Sequence, residues 1–395
     1  MAHKKQLMRG DAFYGIFNDS FPPIMDGVTL TVENYVSQFN KRGLNPCVVT
    51  PWNPVSVDAG CRVIKYFSLP IQNRKPYRYG YPKLDINVWR RLRKTPFRIL
   101  HSHCPFSSGR LAVYVKKHQG VPLVGTFHSK YKSDLEHSFK YVPWMVPVIM
   151  RRILDFFNAC DEVWIPQGAV EETVRQYGYK GPLIVMENGI DIGHGDDIEG
   201  LKLAARRDLG IKPEELSCLF VGQHIWEKGI DIIADALREI DGRIPFRMNF
   251  VGNGYALDSL KRRIQDYGLG NRVKVNGIVT DREKLKQFYA AADLFLFPSL
   301  YDNAPLVLRE AAACGTPALL LRNSTASEVI THGMNGFLLE RSPKAYADEM
   351  MYLYNNMRLV KEVGLNARNT IVRSWDDVID EVLDRYNTLL AAYHK

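Results

Sequence analysis

The six cysteines, Cys47, Cys61, Cys104, Cys160, Cys218 and Cys314, include no Cys-x-x-Cys pair. Scattered in this way, they indicate neither a disulfide framework nor a thiolate zinc site, and they fit a reducing compartment. Long apolar runs are missing too: the longest, Tyr141 to Met150, is broken by Pro143 and Pro147 and is too short for a bilayer-spanning helix. The opening Met-Ala-His-Lys-Lys-Gln-Leu-Met-Arg-Gly leads into no apolar signal core, so the expected location is cytoplasmic. No repeat or low-complexity tract is present. Gly252-Asn253-Gly254 lacks the third glycine of a dinucleotide fingerprint, and no NAD site is read from it.

What is present is ample apolar material: 395 residues, 46% hydrophobic and 24% charged, more than one ordinary core holds. The net charge of +9 is concentrated. Between Arg74 and Arg98 stand nine bases (Arg74, Lys75, Arg78, Lys83, Arg90, Arg91, Arg93, Lys94 and Arg98) against one acid, Asp85. Tyr77, Tyr79, Tyr81 and Trp89 are interleaved with them. This composition suits an anionic membrane surface or nucleic acid, and equally a solvated face with no partner.

Short apolar runs alternate with helical-period segments throughout, the pattern of parallel sheets with crossover helices. The first series of strands is read at Phe13 to Phe17, Pro46 to Val49, Arg62 to Phe67, Ile99 to Ser102, Leu123 to Thr126, Glu162 to Ile165 and Leu183 to Met186. A second runs through Cys218 to Val221, Phe246 to Val251, Val273 to Val275, Leu294 to Phe297, Ala318 to Leu321 and Gly336 to Leu339. Two series predict two Rossmann-like domains facing across a cleft, with ligands at the carboxyl ends of the strands. The boundaries are expected at 1–188, 189–374 and 375–395. The last segment is a helix with Val378, Val382, Tyr386 and Leu389 on one face, packing back on the first domain.

The densest motif runs from Phe297 to Pro317. A buried strand ends in a loop, and the loop opens a helix with Pro305 read in its first turn, where a missing N–H costs nothing. Free N–H groups there suit a phosphate. Asp302 before the helix and Glu310 within it can touch different parts of one extended ligand. Taken alone, the same residues also fit an ordinary helix cap with a surface glutamate.

Asp302 and Glu310, with seven residues between them, precede Gly315-Thr316-Pro317. With Val221 to Gly229, Val251 to Gly254, Ala291 to Pro298 and Glu328 to Gly336, this resembles glycosyltransferase family 4, the retaining enzymes of the GT-B fold. Ser20 to Val28, His101-Ser102-His103, Thr126-Phe127-His128 and Asn188 to Asp191 extend the resemblance across the first half. The resemblance implies that Glu310 takes the ribose hydroxyls, Asp302 the sugar hydroxyls and Lys228 the diphosphate. It places Gly27 at the same diphosphate and His128 near the anomeric carbon. Gln223, Asn303, Ala304, Pro305 and Leu306 then belong to the donor site, and Ile278 and Val279 lie near the base.

Three positions depart from the family pattern: Gln223 for arginine, Asp302 for glutamate, and Ala304-Pro305 for Phe-Gly. They put diphosphate affinity and sugar choice in question without removing Lys228 or Glu310. His101, His103, Cys104 and His128 match no zinc spacing, and the family works without metal or other cofactor. The implied reaction is front-face retention, driven by electrostatics and positioning.

The expected donor is UDP-glucose or a similar UDP-hexose. Thr126 to Tyr131 resembles diacylglycerol glycosyltransferases, so the expected acceptor is a lipid, with peripheral attachment to the inner face of the membrane. Tyr141 to Met150, followed by Arg151-Arg152, is read either as an interfacial segment or as internal helix packing. A soluble or cell-wall acceptor, an inactive sugar-nucleotide-binding protein and a nucleic-acid-binding role for the basic segment are the alternatives. Of these, nucleic acid is not expected as a partner.

Overall fold

The computed structural model describes residues 12–24, 26–55, 57–72, 76–191 and 197–393. Residues 1–10, Met25, Arg74 and Lys75, which carry parts of the readings above, lie outside them. The chain divides into two compact units, Met1–Asn188 with Trp375–Lys395, and Gly189–Ser374.

The first unit is built on a seven-stranded sheet. Its strands are β1 (Phe13–Phe17), β2 (Pro46–Pro51), β3 (Arg62–Tyr66), β6 (Phe97–Ser102), β7 (Leu123–Thr126), β8 (Glu162–Ile165) and β9 (Leu183–Val185). The order is β3-β2-β1-β6-β7-β8-β9 and every pairing is parallel. β4 (Ser68–Pro70) and β5 (Arg78–Gly80) form a separate antiparallel pair. The order reverses between β1 and β6, which opens a crevice at the carboxyl edge where ligands bind such sheets.

Helices cover both faces: α1 (Gly27–Lys41), α2 (Ile86–Lys94), α3 (Ser107–Gln119), α4 (Tyr131–Ser138), α5 (Met145–Ala159), α6 (Val170–Gln176) and α14 (Trp375–Tyr393). On one face, residues of α2, α3 and α5 share a core with Phe17, Val49 and Leu100. On the other, α1 and α14 pack with Ile16, Val48 and Trp164. Helix α14 buries Trp375, Val378, Ile379, Val382, Tyr386 and Leu390. The apolar face thus ends on Leu390, while the expected Leu389 is only partly buried, because a step of four from Tyr386 follows the 3.6-residue period better than a step of three. Neither the β4–β5 pair nor α2 is legible as an element. Helix α2 buries only Val88 and Leu92 of its nine residues, too sparse a pattern to stand out among the bases.

The second unit holds a six-stranded sheet of β10 (Leu216–Val221), β11 (Phe246–Val251), β12 (Val273–Val275), β13 (Leu294–Phe297), β14 (Ala318–Leu321) and β15 (Phe337–Leu339). Its order is β12-β11-β10-β13-β14-β15, again all parallel. Around it lie α7 (Ile198–Leu209), α8 (Ile230–Ile240), α9 (Leu257–Asp266), α10 (Arg282–Ala291), α11 (Leu306–Ala313), α12 (Pro343–Tyr354) and α13 (Met357–Ile371). β10, β13 and β14 are buried along their whole length, as central strands covered on both faces must be. The two chain passages between the units are tied inside this one: the Ile190 amide donates to the Arg373 carbonyl at 3.0 Å, and Ile190 bridges Ser374.

Candidate functional site

In the second unit the loops leaving β10 and β13 bring the motif residues together. After β10 the chain turns through Gly222 and Gln223 into a short 3-10 turn, Trp226–Lys228. Gly229 follows at φ +68°, and a Cβ there would stand 2.4 Å from the Pro298 carbonyl oxygen. Only glycine fits, and this close approach seats Lys228 beside the end of β13. Lys228 is buried, and its ammonium donates to Asp302 Oδ1 at 2.9 Å. The Ser299 hydroxyl donates to Asp302 Oδ2 at 2.7 Å. The two charges therefore meet in a part-buried pair, where Coulomb attraction exceeds that of a surface pair.

Pro305 is the cap preceding α11 (φ −69°, ψ 124°) and not a residue of its first turn, with no side chain capping the helix. The expectation was one residue off, because the extended ψ of Pro305 delays helical geometry to Leu306. The first N–H groups of α11 then lack intrahelical acceptors at the loop that carries Asp302. Asn303 is buried, whereas Ala304 and Leu306 are half-buried.

Glu310 faces inward from α11 and is buried. Arg282 Nη2 donates to its Oε1 at 2.7 Å, and the Tyr289 hydroxyl donates to its Oε2 at 2.7 Å. The same Arg282 nitrogen donates to Asp191 at 2.6 Å. A carboxylate has about four acceptor sites, so two remain beyond these bonds. Arg282, Tyr289 and Ser299 were not predicted. Arg282 and Tyr289 stand outside the motif blocks and Ser299 lies inside one, but only contact in space reveals what each of them holds.

Val279 packs against the core of this unit, while Ile278 is exposed. Gln223 is exposed as well. Gly252 and Gly254 serve packing between loops: a Cβ on Gly252 would lie 1.9 Å from the Gly222 carbonyl oxygen, and one on Gly254 would lie 2.4 Å from that of His224.

In the first unit Gly27 opens α1, whose start is capped by Asp26 accepting from the Thr29 amide at 2.7 Å. Asp19, just past β1, accepts from the Tyr66 hydroxyl at 2.9 Å, from the Ser108 amide at 2.9 Å and from the Ser107 hydroxyl, fixing this loop to the start of α3. His128, two residues beyond β7, is half-buried and pairs with His103, Nε2 to Nδ1, at 3.0 Å.

His101 and His103, at the carboxyl end of β6, are both buried. His101 is held by the Tyr386 hydroxyl at 2.5 Å and the Thr126 hydroxyl at 2.6 Å, because β6 is a central strand covered by α14. Burial lowers the pKa of His101 and His103 well below the ordinary value and that of His128 to about 4. Among the described residues no group of three or more His, Cys, Asp or Glu side chains is arranged to hold a metal ion.

Comparison with known proteins matches a different family model to each half of the chain. Residues 25–194 match the model of Glycosyltransferase Family 4, and residues 202–370 match Glycosyl transferases group 1. An alpha-monoglucosyldiacylglycerol synthase of Streptococcus pneumoniae is 25% identical over 336 residues, covering 82% of this chain and 74% of that one. A D-inositol 3-phosphate glycosyltransferase of Pseudarthrobacter chlorophenolicus is 28% identical over 305 residues, covering 74% and 70%. Among solved structures, Anabaena HepE in complex with UDP and glucose superposes with a TM-score of 0.75 at 19% identity, over 94% of this chain and 99% of that one. With a family 4 domain followed by a group 1 domain on two Rossmann-like sheets, the chain belongs to the glycosyltransferases of the GT-B fold.

Proposed function

We propose that the chain is a retaining hexosyltransferase that works without a metal and moves a hexose from UDP-glucose or a similar UDP-hexose to a membrane lipid such as diacylglycerol or a glycolipid. The donor belongs to the second unit. Its diphosphate draws Lys228 away from Asp302, and the released carboxylate accepts hydroxyls of the sugar. Glu310, already oriented by Arg282 and Tyr289, accepts the ribose hydroxyls. As the bond to the leaving phosphate loosens, the fixed charge of Lys228 stabilises what builds there. The acceptor oxygen attacks from the same face and passes its proton to the leaving phosphate, so no protein base is needed. HepE, bound to UDP and glucose in its crystal, supports this choice of donor.

The observation that carries the lipid acceptor is an exposed apolar and basic surface on the first unit. Helices α2 and α5 each lead into the amino end of a parallel strand, β6 and β8, so their own amino ends lie toward the carboxyl edge of the sheet. There Leu84 and Ile86 before and at the start of α2 are 70% and 75% exposed, and Tyr141 and Trp144 before α5 are 91% and 69% exposed. Large side chains bared together at one edge are costly in water and mark an interaction surface. The same two helices carry exposed Arg90, Lys94, Arg151 and Arg152, and exposed Lys83 and Lys140 precede them, the composition of an interfacial attachment. No helix among the described residues is long and apolar enough to cross a membrane. The synthase relative is named for a diacylglycerol product, in keeping with this reading.

The test supplies UDP- and GDP-sugars with diacylglycerol in anionic vesicles, or with inositol phosphate in solution. Transfer of glucose to the vesicles with the α-configuration retained, unaffected by a chelator, is expected. Transfer only to inositol phosphate would move the acceptor to the soluble class, in line with the second relative. Donor binding without turnover would make the chain an inactive sugar-nucleotide-binding protein.

A further inference from the structure

We infer that His103 is a positioning residue that fixes His128 as a neutral imidazole with its proton on Nδ1. The inference rests on the reading of His128 as the side chain that meets the substrates. His103 Nδ1 lies 3.0 Å from His128 Nε2, so one of these nitrogens donates and the other accepts. Which one donates is decided on the far side of the His103 ring. There Nε2 is buried and has no hydrogen-bond partner. A neutral imidazole carries a single N–H. Placed on His103 Nε2, it would be an orphaned donor in the interior, which native structures rarely tolerate. The proton therefore sits on Nδ1 and is donated to His128 Nε2. That nitrogen must offer its lone pair, and the proton of His128 is left on Nδ1.

The surroundings keep His103 in this pose. Its ring stacks on His101 at 4.1 Å between centroids, and the edge of Tyr35 meets it at 5.2 Å. His101 cannot turn away, since both its nitrogens are bonded, to Tyr386 of α14 and to Thr126 of β7. A continuous stack thus runs from the carboxyl-terminal helix through His101 and His103 to His128. Burial disfavours the imidazolium form of all three rings, which keeps a second proton off the pair. His128 can therefore donate a hydrogen bond through Nδ1 to a sugar hydroxyl or a phosphate oxygen. It cannot take up a proton there, which suits a reaction whose base is the leaving phosphate.

Two measurements on the full chain test this. In long-range proton–nitrogen spectra of histidine-labelled enzyme at neutral pH, the His128 resonances are identified by their loss in His128→Gln. Nδ1 should show the shift of a protonated nitrogen and Nε2 that of an unprotonated one. The reverse pattern, or two protonated nitrogens, overturns the inference. For turnover with UDP-glucose and diacylglycerol vesicles, His103→Asn keeps an N–H near the Nδ1 position, whereas His103→Leu has none. The leucine variant should lose at least about 10-fold in kcat, the equivalent of one net hydrogen bond, with the donor KM unchanged. Asparagine should restore kcat to within about 3-fold. In a His128→Ala background, His103→Leu should add no further loss, and an independent loss there would show that His103 acts by another route. If His128→Ala leaves turnover intact, the reading of His128 fails, while the nitrogen shifts still decide the tautomer even should the leucine variant not fold.

Discussion

The Lys228 ammonium stands 2.9 Å from Asp302 Oδ1, so the cation assigned to the diphosphate and the carboxylate assigned to the sugar neutralise each other. A donor molecule that separates them replaces one ion pair with two charge-assisted contacts. Because phosphate charge grows as the glycosidic bond breaks, a lysine in the role proposed for Lys228 contributes more to the transition state than to the ground state. Lys228→Ala should lower kcat by at least about 100-fold, the scale of one lost charge-stabilising donor. A change confined to KM would instead make Lys228 a uniform binding residue.

Among the residues proposed to hold the donor, Glu310 is the most firmly oriented, with Arg282 and Tyr289 each bonded to it at 2.7 Å. Charge-assisted bonds to two ribose hydroxyls vanish on Glu310→Ala, and UDP binding should weaken by about 2 to 3 kcal/mol in calorimetry. Arg282→Ala should weaken it less, because Tyr289 still orients the carboxylate. Equal UDP affinity in wild type and Glu310→Ala would remove Glu310 from the donor site.

The two sheets were legible because buried parallel strands read as compact apolar runs: all six strands of the second unit keep their expected carboxyl ends, at Val221, Val251, Val275, Phe297, Leu321 and Leu339. The chain positions of Lys228, Asp302 and Glu310 were legible as motif spacing. What holds them was not. Arg282 reaches Glu310 across 28 residues, and Ser299 reaches Asp302 through a loop whose course depends on Gly229 leaving room for the Pro298 carbonyl. The histidine pair shows the same limit. His-x-His on a strand places alternate side chains on one face, but only the fold brings His128 from the neighbouring strand and Tyr386 from the last helix.

The buried imidazoles set the response to acid. His128 has a folded pKa lowered to about 4, His224 one of about 4, both first by burial, and His101 and His103 lie well below the ordinary 6.5. Between these values and 6.5 the unfolded chain binds more protons than the folded one, so stability rises with pH there. The contribution is fully present above about pH 6.5 and is lost as pH falls toward 4. Thermal unfolding followed by circular dichroism should show Tm declining across that window, with a shallower decline for His128→Asn. A Tm flat between pH 6.5 and 4.5 would show that these rings are protonated in the folded protein.

The last prediction separates a lipid acceptor from a soluble one through the bases of α2. Arg91 and Arg93 are partly engaged within the unit, Arg91 with the Lys65 carbonyl at 2.5 Å and Arg93 with the Tyr114 hydroxyl. Replacing all the bases of the helix would therefore confuse attachment with folding. Arg90 and Lys94, four residues apart on one side of α2, are exposed and are the cleaner choice. Each base near an anionic surface adds about 1 kcal/mol of attraction, so Arg90→Gln with Lys94→Gln should weaken binding to anionic vesicles by about 30-fold. Trp144→Ala should weaken it through the apolar term, and that loss should persist as salt rises. The charge term should not, since the Debye length is about 8 Å at physiological ionic strength. Activity on vesicle-borne acceptor should fall with binding in both variants, while slow hydrolysis of the sugar nucleotide in solution stays at the wild-type rate, because neither residue belongs to the donor site. Vesicle sedimentation at low and high salt reads both terms. If the wild-type chain ignores anionic vesicles at low salt, the exposed edge of Leu84, Ile86, Tyr141 and Trp144 has no membrane to meet, and an acceptor in solution becomes the better account of the first unit.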